Sequence, residues 1–422
     1  MNRFVYSLLL YLILPFVPLK LLWRGLKQPA YRQHWAERCG FYNTIVQKPV
    51  IWLHCVSVGE TRAAEPLIRA LQQQYPNHQI LVTHGTPTGR DASEAVFGDS
   101  IERVYLPYDL PFAVNNFLTH FKPSIGLLME TELWFNLIAA CKQQQIPLLL
   151  LNARLSEKSA SGYAKLGQLA REGLQNLSAI AAQTVDDAAR LQVLGARNIS
   201  VVGNLKFDVK PPVDAMDKGL QLRALLGAER IIFVAASTRE GEEALILDAI
   251  KDLNILTIIV PRHPQRFDDV ESLIKNAGLS YMRRSDLREP INKNVQVILG
   301  DSMGELFSYY ATCDLTFIGG SLLPFGGQNL IEAATMGKPI LIGEHTFNFA
   351  NATEAAVNTG AAIRVKDTAE LRQQIQFLIE NNAICAQMQQ AALAFSAAAT
   401  GATARLMPLI ETYLYQSKAE QP

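Results

Sequence analysis

Three carboxylates, Glu60, Glu130 and Glu132, and one amine, Lys206, follow short apolar runs in the first half of the chain. Such runs are strand candidates, and open α/β sheets take their ligands beyond the carboxyl ends of the strands. In Ser57-Val58-Gly59-Glu60-Thr61, Gly59 permits a tight turn and Glu60 falls in the first turn of the next helix. A carboxylate there can act as a general base. It is also favoured by the helix dipole alone, by ~0.3–1 kcal/mol, so both readings stand. Glu130 and Glu132 come directly after Ser124–Met129, and burying a carboxylate costs energy unless it is paired. Lys206, in GNLKFD (203–208), can pair with an acid or meet an anionic ligand.

The second half offers groups suited to an anion. Ser237 to Glu242 follows a strand candidate and opens a helix, where free N–H groups and the dipole suit phosphate. Arg262, His263 and Arg266 share one loop. Met303, Gly304 and Glu305 also lie between a strand and a helix, and Gly319-Gly320-Ser321-Leu322 leads on to Gly326-Gly327-Gln328-Asn329-Leu330-Ile331-Glu332. The backbone of that last stretch can hold a phosphate, and Glu332 can accept bonds from sugar hydroxyls. Each loop also has a plain reading as a helix cap.

The elements that must carry these loops alternate strand and helix. Strands are expected at Val50–Val56, Ile80–Thr83, Val104–Leu106, Ser124–Met129, Pro147–Asn152, Ala179–Ala182 and Ile199–Val202. After Phe207–Asp214, a linker with two adjacent prolines, the pattern restarts. Further strands are expected at Ile231–Ala235, Leu256–Val260, Val295–Leu299, Leu315–Ile318 and Pro339–Ile342. Fully apolar strands alternating with helices imply parallel sheets covered on both faces. Hence we expect two doubly wound domains, near 29–208 and 215–400, and a final helix over 401–417.

The chain has 422 residues, 49% hydrophobic and 18% charged, enough for two cores. Lys plus Arg equals Asp plus Glu at 39 each, which gives no reason to expect a nucleic-acid partner. The five cysteines are far apart with no CxxC, which excludes a disulfide framework or zinc ribbon. No G-x-G-x-x-G follows a strand and no P-loop is present, so redox and P-loop chemistry lose their main support.

Charge is uneven despite the balance. Residues 1–48 hold seven basic residues and one acid, Glu37. Phe4 to Leu19 is sixteen residues without a charge. As a helix it reaches roughly 24 Å at ~1.5 Å per residue, short of a ~30 Å hydrocarbon core. Pro15 and Pro18 argue against a straight span. Membrane anchor, buried core helix and signal peptide compete here. The anchor is favoured, with Lys20, Arg24, Lys27 and Arg32 keeping the body cytoplasmic.

Taken together, the motifs identify a family. Residues 36–40 (AERCG), HCVSVGET (54–61), TPTGR (86–90), YLPYD (105–109), METELW (129–134), NARLS (152–156), GNLKFD, PRHPQRF (261–267), MGEL (303–306), GGSL (319–322) and GGQNLIEA (326–333) occur in order. The chain resembles the 3-deoxy-D-manno-octulosonic acid (Kdo) transferases of lipopolysaccharide synthesis, essentially end to end. Two positions depart: Gln328 stands where histidine is usual, and Cys39 where tyrosine is common.

The resemblance implies an α/β GT-B fold, with two Rossmann-like doubly wound domains facing a cleft and an N-terminal hydrophobic anchor. Its divisions would be an anchor at 1–28, an acceptor-binding domain at 29–208, and a CMP-sugar-binding domain at 209–422 that includes the final helix. It implies inverting transfer of Kdo from CMP-Kdo to a lipid A precursor, lipid IVA, at the cytoplasmic face of the inner membrane. Glu60 then matches the general base, and Glu130 and Lys206 match positions that stabilise the transition state. Arg262, His263, Met303, Gly304, Glu305, Asn329, Leu330, Ile331 and Glu332 match the CMP-binding segments. The implied partners are CMP-Kdo, the lipid acceptor and an anionic membrane surface, with no cofactor, metal or nucleic acid. The alternatives are a GT-B enzyme using a UDP-sugar and a membrane-tethered binding protein without turnover.

Overall fold

A computed structural model describes residues 1–208 and 210–419, with side chains to Tyr415. Val209, inside the linker expected at Phe207–Asp214, and the final residues 420–422 lie outside the described residues.

Among the described residues, fourteen strands form two parallel sheets. The first contains β1 (Val50–His54), β2 (Gln79–His84), β3 (Glu102–Tyr105), β4 (Pro123–Met129), β5 (Leu148–Ala153), β6 (Ala179–Ala182) and β7 (Ile199–Val201). Its order is β3-β2-β1-β4-β5-β6-β7. The second contains β8 (Ile232–Thr238), β9 (Leu256–Pro261), β10 (Tyr281–Arg283), β11 (Val297–Leu299), β12 (Leu315–Ile318), β13 (Ile340–Ile342) and β14 (Ala362–Arg364), in the order β10-β11-β9-β8-β12-β13-β14. Two edge strands, β10 and β14, were not expected from sequence. They are three residues long, mostly half-buried and end on arginine, so neither shows the apolar run of a central strand.

The first sheet is covered on both faces, and alternation along its strands divides its core. Ile51, Leu53, Ile125 and Leu127 pack with Leu67 and Leu71 of the helix Val58–Gln74. Val50, Trp52, Leu128 and Leu150 pack on the other side with Phe117 and Leu137. Gly126 makes room for the Trp52 indole, since a Cβ there would lie 2.7 Å from the ring.

The last helix, Ala402–Ala419, corrects the expected division. It belongs with the first unit, which runs from Met1 to Asp208 and resumes at Thr400; the second unit ends at Ala399. Leu406, Ile410 and Leu414 repeat every fourth residue and sit in the cluster of Ile51 and Leu127. Asp208 completes the docking by accepting N–H bonds from Gly401 (2.6 Å), Ala402 (3.0 Å) and Thr403.

At the N-terminus, Arg3–Ile13, a 3₁₀ turn Leu14–Phe16 and Val17–Lys27 follow one another. The prolines do not break this run. Each lies in the first turn of its segment, where a missing N–H costs no helical bond. Arg3–Lys27 is long and apolar enough to cross a membrane. Phe4, Leu12, Phe16, Leu19, Trp23 and Leu26 on it are all exposed.

Candidate functional site

In both sheets the strand order reverses beside the first strand of the unit, between β1 and β4 and between β8 and β12. These are the switch points where α/β sheets take ligands. Because β1 and β4 are paired, their carboxyl ends, with the Glu60 and Glu130 loops, lie side by side.

After β1, Ser57 caps the helix and Glu60 reaches back over it. Ser57 Oγ accepts the Glu60 N–H at 3.4 Å and donates to Glu60 Oε1 at 2.9 Å, while the Val56 N–H donates to Oε2 at 2.8 Å. This is a variant of the capping box, a Ser and a Glu three residues apart, in which Glu60 takes the N–H of Val56, one residue before the cap, and the Ser57 hydroxyl. It makes Glu60 part of the cap and leaves it 8% exposed. Gly59 forms no special turn; it is an ordinary helical residue whose added Cβ would meet only Ser57 Oγ, at 3.8 Å. Burial pushes the Glu60 carboxyl up to about 7, against the pull of its two hydrogen bonds and with help from Glu130 and Glu132. A carboxylate that titrates there is suited to take a proton near neutrality.

Glu130 leaves β4 in the left-handed region, φ 59°, while its N–H stays bonded to Leu151 O at 2.9 Å. Non-glycine residues take this conformation at a cost, commonly at functional sites. Lys206 Nζ meets Glu130 Oε1 at 2.8 Å. Of the two readings of Lys206, the structure adopts the acid pair. Glu132 accepts the Trp134 indole N–H at 2.7 Å, and burial pushes its carboxyl up.

In the second unit the acids organise the loops. Glu242 is fully buried and accepts backbone N–H bonds from Arg239 (2.9 Å), Gly320 (2.6 Å), Ser321 (2.9 Å) and Leu322 (3.0 Å). Its neighbour Glu243 holds Arg266 through both carboxylate oxygens, at 2.5 and 3.1 Å, and accepts from Thr238 Oγ1 at 2.8 Å. This corrects the expectation that the amides of these loops await a phosphate, because a protein carboxylate already takes them at 320–322. The glycine-rich stretch is similar: the Gly327, Gln328 and Ile331 N–H groups donate to Gly320 O, Gly319 O and Asn329 Oδ1.

Arg239 lies over the Phe325 ring at 4.7 Å, and Arg262 and His263 are exposed. The charges of Arg239, Arg262 and Arg266 reinforce desolvation in holding the His263 imidazole below its ordinary range. Asn329 Nδ2 donates to Glu332 Oε1 at 3.2 Å. Burial pushes the Glu332 carboxyl up, opposed by Asn329 and by the charge of Arg262. Thus Arg262, Asn329 and Glu332 form one neighbourhood. Leu330 and Ile331 have fully buried side chains and can offer a ligand only backbone. Met303 and Gly304 are exposed, and Glu305 pairs with Arg284 at 2.9 Å.

The family model described as 3-deoxy-D-manno-octulosonic-acid transferase (kdotransferase) matches residues 33–209, and that for glycosyl transferases group 1 matches 226–395. The 3-deoxy-D-manno-octulosonic acid transferase of Bordetella pertussis is 39% identical, over 98% of this chain and all of that protein. The chain belongs to the Kdo transferase family. The enzyme of the same description from Haemophilus influenzae is 38% identical, over 98% of this chain and 99% of its own length. A glycosyltransferase structure from Rickettsia africae, 15% identical, superposes on 90% of this chain and all of its own with a TM-score of 0.57. The two parallel-sheet units are those of a GT-B glycosyltransferase, and the chemistry is Kdo transfer.

Other residues that shape this Kdo transferase site had no role in the sequence reading. Asn152, next to last in β5, has φ 53°, and its Oδ1 accepts the Leu205 N–H at 3.0 Å, setting the turn that presents Lys206. Glu243 and Asp109 act similarly on their own loops. Asn152 and Asp109 stand in the NARLS and YLPYD motifs near strand ends, which marks their position but not their partners, whereas Glu243 lies inside a helix and carries no such mark.

Proposed function

We propose that this enzyme transfers Kdo from CMP-Kdo to a hydroxyl of a lipid A precursor, lipid IVA, with inversion at the anomeric carbon. The observation that carries the reading is Glu60, a buried carboxylate poised near 7 beside the Glu130–Lys206 pair. In this mechanism the acceptor oxygen attacks the anomeric carbon and its proton passes to Glu60. The bond from that carbon to the phosphate oxygen breaks, and CMP leaves with the electron pair. Ser57 and the Val56 N–H hold the Glu60 carboxylate in one orientation, which lowers the cost of ordering it in the transition state. Lys206, fixed by Glu130, supplies positive charge where the negative sugar and its leaving group react.

On the second unit, Arg262 and His263 are assigned to the CMP phosphate. Glu332, oriented by Asn329, is assigned to the ribose hydroxyls. Met303, Gly304 and Glu305 and the backbone at Leu330 are assigned to the rest of the nucleotide, with Ile331 holding Asn329 in place through its N–H. The exposed apolar side chains on Arg3–Lys27, with Lys20, Arg24 and Lys27 at its end, support anchoring to the anionic cytoplasmic face of the inner membrane. There the lipid acceptor is presented at the surface the enzyme occupies.

Mass spectrometry of lipid IVA incubated with CMP-Kdo and purified protein tests the reading. The expected product is the acceptor plus Kdo, formed equally after exhaustive chelation. A UDP-sugar serving in place of CMP-Kdo, or no transfer from either, would end it.

A further inference from the structure

The N-terminal helix Arg3–Ile13 has two faces with different partners. Phe4, Leu8 and Leu12 are 76%, 50% and 62% exposed. Tyr6, Ser7, Leu10, Leu14 and Val17 are less exposed and recur at helical spacing along one stripe of this helix and the turn after it. A tether needs only the first face. The second makes specific bonds to the body of the enzyme.

Those bonds converge on the start of the helix Phe135–Gln143, immediately after the loop bearing Glu130, Glu132 and Trp134. Trp134, the residue capping that helix, makes no side-chain cap bond. Asp109, the last residue of YLPYD, does the work instead. It is 3% exposed and accepts the Leu137 N–H at 2.8 Å and the Asn136 N–H at 3.0 Å. Its backbone carbonyl accepts Asn136 Nδ2 at 2.7 Å.

The N-terminal helix closes this arrangement. Tyr6 Oη donates to Asp109 Oδ2 at 2.9 Å, and the Ser7 hydroxyl is shared between Asn136 Oδ1 and Arg3 O of its own helix, each at 3.0 Å. The Tyr6 ring also stands edge-on to Phe135 at 5.3 Å. One residue before Phe135, the Trp134 indole N–H holds Glu132, whose charge acts on Glu60. The path from anchor to acidic loop is thus made of adjacent residues and direct bonds.

We propose that the N-terminal helix is a positioning element for the acidic loop, with Tyr6 and Ser7 as positioning residues acting through Asp109 and Asn136. Docking of the N-terminal helix then fixes the loop from which Glu130 meets Lys206 and Glu132 meets Trp134. The proposal rests on the reading of Glu60 as the base.

The test uses the full chain carrying Tyr6→Phe and Ser7→Ala together, on phosphatidylethanolamine–phosphatidylglycerol vesicles and in detergent micelles. Vesicle binding and the KM for CMP-Kdo should stay at wild-type values, because the apolar face and the second unit are untouched. Turnover should fall roughly five- to thirtyfold in both media, the size expected for one or two hydrogen bonds. The acidic limb of the kcat profile should move, since the charges around Glu60 shift. Ser7→Thr, which keeps the hydroxyl, should stay near wild type. Wild-type turnover in the double variant would overturn the proposal. So would a loss confined to vesicles and matched by lost vesicle binding, which would make these contacts part of the tether. Glu60→Gln run alongside separates the ideas: full activity there ends the base reading, whereas an inactive Glu60→Gln beside a fully active double variant ends this one alone.

Discussion

Replacing Glu60 with glutamine should slow the enzyme and stabilise it at the same time. The carboxyl moves from its ordinary 4.5 to about 7 on folding, chiefly through burial. At ~1.36 kcal/mol per pH unit, this corresponds to about 3 kcal/mol spent on keeping Glu60 ionised. The sign follows from proton binding. Between those two values the folded state holds more protons than the unfolded one, so stability declines as pH rises through the window. Glutamine removes that decline. It also keeps only one of the two acceptor oxygens that serve Val56 and Ser57, which returns about 1 kcal/mol. The net expectation is a variant about 1–2 kcal/mol more stable than wild type near pH 8, with the advantage gone near pH 5, where wild-type Glu60 is protonated. Turnover should drop ~10²- to 10⁴-fold, the usual share of a positioned base, while CMP affinity holds. Urea unfolding at several pH values and a single-turnover Kdo transfer assay read these effects. Undiminished transfer would remove Glu60 from the chemistry, and a stability difference that does not change with pH would contradict its raised titration in the folded state.

Glu332→Ala should weaken CMP binding by roughly ten- to a hundredfold, since a charge-assisted bond is worth ~1.5–3 kcal/mol. Calorimetry with CMP and 2′,3′-dideoxy-CMP should show discrimination by the wild type and almost none by the variant; equal discrimination by both excludes the ribose role. Asp208→Ala should cost about 2 kcal/mol by leaving the start of the last helix uncapped, and unchanged urea unfolding would contradict this. Buried His54 and His84 are pushed down to about 3 and about 4 from an ordinary 6.5. The unfolded chain therefore binds protons first, and stability should be lost as pH falls below about 6.5, by ~1.4 kcal/mol per unit for each ring. Glu60 has the opposite dependence in part of that range, so the unfolding series belongs in Glu60→Gln, where adding His84→Gln should roughly halve the slope and leave that of His54.

Local sequence determined much of this protein. The central strands were legible because a strand buried on both faces must be apolar throughout, as Leu148–Ala153 and Ile232–Thr238 are apart from their final residues. The places where chemistry sits were legible too, because polar residues directly after such runs can only lie at strand ends. Short-range caps such as Ser57 with Glu60 need no distant partner. Tertiary structure decided what sequence spacing cannot carry. The last helix returns to the first sheet because Leu406, Ile410 and Leu414 fit beside Ile51 and Leu127, and an apolar stripe does not name the face that will bury it. Glu242 looks in sequence like any acid at a helix start. Only the fold brings Gly320, Ser321 and Leu322 to its oxygens and uses up the amides that a phosphate would otherwise have met. Likewise Tyr6 and Asp109 lie far apart in the chain, and only the packing of the N-terminal helix brings the phenol to a buried carboxylate that already holds the Asn136 and Leu137 N–H groups.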